Sequence, residues 1–202
     1  MHPTFAHTIP PSDDGASDRL SRRKFLLATG ASATLLSGCG NGIGNPAANK
    51  IDQRADATQN FLYSRYPGTL SLNDKAAGVL IMPLVTKAGF GIGGSYGRGA
   101  LRINNATVDY YSATQATFGF QIGAAQYAHV LFFMTQEALS DFRRSAGWSA
   151  GADAEYAIND RGGNLSAETI TGTKPVVALV FGQSGLIVGA TLEGTKYTRI
   201  IP

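Results

Sequence analysis

The chain holds a single cysteine, Cys39, so no disulfide can form within it and a folded domain must be held by its core alone. Histidine is almost as scarce. His2 and His7 lie in the leader, which leaves His129, and one histidine without neighbouring cysteine or carboxylate spacing gives no metal site. No cofactor motif stands out either. Long apolar runs are missing: the stretch Phe25–Leu36 is too short to span a bilayer and is broken by Thr29, Gly30, Ser32 and Thr34. The formal net charge is only +3, part of it carried by Arg19, Arg22, Arg23 and Lys24 of the leader, and so small an excess argues against a nucleic-acid partner.

What is present begins with an address. Ser21-Arg22-Arg23-Lys24-Phe25-Leu26 matches the twin-arginine export pattern, and Leu36-Ser37-Gly38-Cys39 closes the apolar run as a lipobox does. Residues 1–38 are therefore expected to be a twin-arginine-type lipoprotein signal peptide, with Cys39 the lipidated residue. Two or three acyl chains are needed for a stable anchor, because a single chain holds only marginally. Gly40 follows the cysteine where an aspartate would favour inner-membrane retention. The expected address is the periplasmic face of an outer membrane, with the inner membrane as the other destination. Residues 39–49, rich in Gly, Asn and Ala, read as a flexible tether. About 164 residues from Cys39 onward suffice for one domain with a real core, at 50–202.

Glycine is the abundant residue, 25 in all. Gly89, Gly91 and Gly93 fall at strand period, followed by Gly94, Gly97 and Gly99, so one face of this stretch carries almost no side chain. Such a strand fits where a sheet bends or another element presses on bare backbone. It is expected to be the strand the fold wraps around. Lys50–Tyr66 carries a helical pattern, with Ile51, Ala55, Thr58, Leu62 and Tyr66 on one face and Pro67-Gly68 as the stop. A short helix capped at Ser71 precedes Gly78. Val79–Val85 reads as a buried strand, Asn104-Asn105 as a turn, and Val108–Ser112 and Thr117–Gly123 as strand with a break near Ala113. Gln126–Met134 follows as strand, then a helix capped by Thr135 and ending before Gly147. Trp148–Ile158 reads as a strand and Val176–Leu192 as a hairpin about Gly182–Gly185, with Tyr197–Ile201 as one more strand. The fold class is α+β: a mainly antiparallel, strongly curved, barrel-like sheet with an N-terminal helix and one or two short helices.

Three separated motifs carry a resemblance. Gly89-Phe90-Gly91-Ile92-Gly93-Gly94-Ser95-Tyr96-Gly97-Arg98-Gly99 resembles the glycine-rich signature of the SYLF family, also called the Ysc84 actin-binding domain. Lys75–Pro83 is similar to the segment before it, and Gly185–Gly194, with Gly189 inside it, is similar to the C-terminal signature. The similarity runs over roughly Ile51–Ile201. It implies a non-catalytic lipid-binding module whose partners are membrane phospholipids. Eukaryotic relatives bind phosphoinositides, fungal ones also actin, and bacterial relatives are commonly exported lipoproteins. The family often has tryptophan and proline where Tyr110-Tyr111-Ser112-Ala113 stands. Actin is not an expected partner for an exported protein.

The basic residues Lys75, Lys87, Arg98, Arg102, Arg143 and Arg144 are the candidate lipid contacts. Arg143-Arg144, at a helix end, equally suits the helix dipole. A different class of function is a structural lipoprotein whose bare glycine face receives an envelope protein. A third is a hydrolase: Gly93–Gly97 fits G-x-S-x-G, with Ser95, Asp109 and His129 as a formal triad, though the strand–turn–helix of a nucleophile elbow is missing. Gly89–Gly94 fits G-x-G-x-x-G but opens no helix, so no dinucleotide site is expected.

Overall fold

The computed structural model describes residues 42–151, 154–156, 174–182, 185–186 and 192–202. The leader, the lipobox, the loop at 159–165 and half of the expected C-terminal signature (residues 187–191, Gly189 included) lie outside the described residues.

Helix α1 spans Pro46–Arg65. It starts four residues before the expected Lys50 because Asn45 caps it: the Asn45 side chain accepts the Ala48 amide at 2.7 Å, and Pro46 occupies a first-turn position where no amide is needed. The segment read as tether is thus in part helix and in part a turn. Gly42 and Gly44 have φ of +78° and +85°, and the Asn45 amide donates to the Gly42 carbonyl. Ala48, Ile51, Ala55, Gln59 and Leu62 are the buried face of α1, at the three- and four-residue spacing of a packed helix. Helix α2, Gly68–Lys75, also begins early, and Ser71 sits inside it, donating to the Gly68 carbonyl rather than capping.

Two very long strands follow, β1 (Gly78–Ile103) and β2 (Ala106–Phe133). They pair antiparallel from Ile103↔Ala106 to Gly78↔Phe133. Asn104 and Asn105 join them with φ of 50° and 63°, both left-handed, which matches a two-residue hairpin turn to the twist of the strands. The expected break near Ala113 is absent: Ala113 is buried and pairs with Gly97 on one side and Tyr197 on the other. The strand shared by the whole sheet is therefore β2, not the glycine-rich β1. Along one edge β2 holds β1. Along the other it holds β5 (Val176–Gly182) at 128–133 and β7 (Lys196–Ile200) at 110–114. The short strands β3 (Trp148–Ser149) and β6 (Gly185–Leu186) pair antiparallel with β7 and β5, and β4 (Ala154–Tyr156) runs parallel to β5. The expected strand Trp148–Ile158 is thus two short pieces at opposite ends of the sheet order.

The sheet curls, and glycine lets it. A Cβ on Gly97 would stand 2.7 Å from the Leu84 carbonyl oxygen, and one on Gly99 would collide with the Ile81 carbonyl. The two ends of β1 therefore close on each other across the glycine face, with Gly89 against Gly93 at the bend. Buried residues alternate along the strands into two cores. Ile81, Ala100, Tyr110, Val130, Phe132, Val177 and Leu179 face α1 and α2. Leu80, Met82, Leu101, Tyr111, Leu131, Phe133, Ala178 and Tyr197 face the inside of the curl. Strands buried on both faces explain the unbroken apolar runs at 79–82 and 176–181. Helix α3 (Gln136–Arg144), capped by Thr135 as expected, closes the inner core with Phe142, whose ring lies 4.6 Å from Tyr111 and 4.7 Å from Phe133.

Candidate functional site: a groove along α1

Pro83 has no amide to give the ladder, and the strand bulges there: Met82 pairs with His129 and Val85 with Tyr127, which leaves one residue too many on β1. The bulged pair Pro83-Leu84 lines two clefts that meet under α1. One, of about 310 Å3, is apolar and lined by Ala57, Thr58, Phe61, Tyr127, Ala128 and Phe181 among others. Phe61 stacks on Phe181 at 5.8 Å between ring centres and remains 37% exposed. The other, of about 230 Å3, is lined by Lys50, Arg54, Tyr96 and Arg98 with Ala47 and Ile51. Ala47, Lys50, Arg54, Ala57 and Phe61 recur at three- and four-residue steps, so one stripe of α1 borders both clefts. The two clefts share the Pro83-Leu84 wall and together make a groove along α1, cationic at one end and aromatic at the other, with no acidic residue among its described lining. Lys50, Arg54 and Arg98 form no ion pair among the described residues.

Polar bonds fix the helix that forms one wall. Arg102, 8% exposed, donates to Asp56 at 2.6 Å and to Gln59 at 2.7 Å. Asp52 accepts from Tyr110 at 2.7 Å and from Thr107 at 2.9 Å. Burial first, and the carboxylate of Asp52 second, push the Tyr110 phenol well above its usual value, so it stays a donor.

Of the six basic residues singled out in the sequence, only Arg98 lines the groove. Arg102 is spent on α1. Arg143 bonds Asp109 at 3.0 Å, and Arg199 bonds the other oxygen of the same carboxylate. Arg144 pairs with Asp141 at 2.6 Å. Lys75 ends α2 and Lys87 lies opposite Ala125, both away from the groove lining. Lys50 and Arg54 join Arg98 in the cleft lining, and their sequence signal is the four-residue step on the border of the apolar face of α1. Gly94 is exposed, whereas Gly97 and Gly99 are buried inside the curl.

The formal hydrolase triad does not assemble. His129 is fully buried, and its Nε2 lies 2.8 Å from the Tyr197 hydroxyl. Desolvation holds its pKa down at about 3. Asp109 is taken by two guanidiniums, and Ser95 is buried. Among the described residues no three metal-ligating side chains cluster, and no helix is long and apolar enough to cross a membrane.

No match is found among curated proteins. The family model of Ysc84, described as Las17-binding protein actin regulator, matches residues 114–199. That span runs from the middle of β2 through α3 to β7 and takes in Tyr127, Ala128 and Phe181 of the groove, while α1 and the glycine-rich stretch precede it. Over residues 114–199 this chain matches the Ysc84, or SYLF, domain.

Proposed function

We propose that the chain is an exported lipoprotein, anchored through Cys39 at the periplasmic face of the outer membrane, whose domain binds phospholipid without chemistry. The observation that carries the binding reading is the groove along α1. Lys50, Arg54 and Arg98, without an ion pair among the described residues, stand at one end to meet an anionic headgroup, and Phe61, Tyr127 and Phe181 stand at the other to meet acyl carbon. Each CH2 removed from water contributes about 0.8 kcal/mol, so even a partly seated chain adds appreciably to the charge attraction. The twin arginine and the lipobox support the address. The family description names an actin regulator, and an exported chain meets no actin.

The alternative, a bare glycine face that receives an envelope protein, is weakened by where that face points. At Gly97 and Gly99 it is already filled by Ile81, Leu84 and Val85 of the same strand. Flotation of the full chain carrying Cys39→Ala with phosphatidylglycerol vesicles tests the binding. The expected result is co-flotation that falls in 0.5 M salt, where the Debye length shrinks to about 4 Å from about 30 Å at about 0.01 M. Absence of flotation with both anionic and neutral vesicles would sink it.

A further inference from the structure

Two isoleucines stand in solvent on one edge of the domain, Ile43 at 47% and Ile201 at 73% exposure. Gly42, next to Ile43 in the chain, packs on Ile201 and Pro202. A Cβ on Gly42 would stand 2.7 Å from Pro202 Cδ and 3.1 Å from Ile201 Cγ2, so the backbone of the turn lies directly on that pair. The Asn45 amide nitrogen Nδ2 donates to the Pro202 carbonyl at 2.7 Å and locks the two segments together. The apolar edge is thus a built surface of Ile43, Ile201 and Pro202. No acidic side chain occurs from Gly42 to Asn49 or from Lys196 to Pro202.

Its position relative to Cys39 says what covers it. Cys39 lies three residues before Gly42, and three residues span about 10 Å when fully extended. A lipidated Cys39 therefore keeps this edge within about a headgroup layer of the hydrocarbon. Ala47 and Lys50, at the cationic mouth of the groove, follow within two turns of α1.

We propose that the edge formed by Ile43, Ile201 and Pro202 is a seat on the bilayer that holds the Cys39 acyl chains, which presents the Lys50–Arg54–Arg98 end of the groove at headgroup level. The proposal rests on the anchored reading above. It adds that the domain has one orientation on the lipid, rather than hanging from a loose tether.

Hydrogen exchange on the full lipidated protein in phosphatidylethanolamine–phosphatidylglycerol vesicles tests this, with intact mass confirming the acyl chains on Cys39. The amides of residues 42–44 and of Ile201 are expected to exchange several-fold more slowly in the wild type than in the Ile43→Ser, Ile201→Ser double variant. The exchange of α1 and β2 should stay the same in both, which shows that the variant is folded. Equal exchange at the edge, with Cys39 acylated and both proteins vesicle-bound, overturns the seat and leaves the anchor standing. Protection that grows with protein density at constant lipid overturns it in favour of a second copy on that edge. An unmodified Cys39 removes the anchor and the seat together.

Discussion

Arg102 on β1 reaches across to Asp56 and Gln59 on α1, at 2.6 Å and 2.7 Å, from a position that is almost wholly buried. This pair of bonds joins the helix to the sheet beside Tyr110–Asp52 and so sets one wall of the groove. Asp56 is largely exposed, so its charge attraction is screened, and the larger loss in Arg102→Ala comes from leaving the buried Gln59 oxygen unpaired. The expected destabilisation is about 1–3 kcal/mol. Urea unfolding measures it, and an unchanged midpoint would mean that α1 is held by its apolar face alone.

Gly97 and Gly94 should part company. Gly97→Ala drives a methyl into the Leu84 carbonyl and Val85, and overpacking of this kind costs about 1–3 kcal/mol. At Gly94 the nearest atom to a new Cβ is the Gln115 carbonyl at 3.3 Å, on an exposed position, so Gly94→Ala is expected to change stability by less than about 0.5 kcal/mol. Thermal melts of the two variants decide it. Equal melting temperatures would show that β1 does not close on itself as described.

His129 gives the fold an acid limit. The unfolded chain binds the imidazole proton near the ordinary value of 6.5, whereas the buried ring resists it down to about 3. Above pH 6.5 neither state takes the proton and His129 adds no slope. Between 6.5 and about 3 only the unfolded state takes it, so stability falls as pH falls, by up to about 1.4 kcal/mol per pH unit. His129→Leu loses the bond between the ring and the Tyr197 hydroxyl and should be less stable at pH 8, but its stability should decline less steeply from pH 6.5 to 4. Denaturant titrations at several pH values compare the two slopes.

The two ends of the groove should fail differently. Arg54→Gln with Arg98→Gln is expected to weaken binding to anionic vesicles and to flatten its salt dependence. Phe61→Ser is expected to weaken binding while leaving the salt dependence in place, since it removes only apolar contact. Flotation across a salt series separates them; identical behaviour of the two variants would argue that the groove is not one site.

Much of this fold is legible in local signals. Thr135 announces α3, Asn104-Asn105 announces the long hairpin, and the unbroken apolar runs announce strands covered on both faces. The misses share one cause, which is that a distant residue decides the outcome. Gly42–Asn45 has the composition of a tether, yet it is ordered by Pro202, which is 157 positions away. Arg102 looks like any surface cation until Asp56 and Gln59, 46 and 43 positions earlier, are placed beside it. The groove joins Lys50 and Arg54 of a helix to Arg98 of a strand, a grouping that spacing along the chain cannot display. The glycine pattern does signal a bend, but not that the strand at the centre of the sheet is its partner β2.

That partnership bears on how the protein is made. One edge of β2 is satisfied as soon as β1 folds onto it through the Asn104-Asn105 turn, a local event. The other edge waits for Val176–Gly182 and Lys196–Ile200. During synthesis the hairpin can form early, but it carries a long open ladder of unpaired amides and carbonyls until residue 200 has left the ribosome. The nascent chain is therefore most vulnerable to wrong pairing when it is nearly finished.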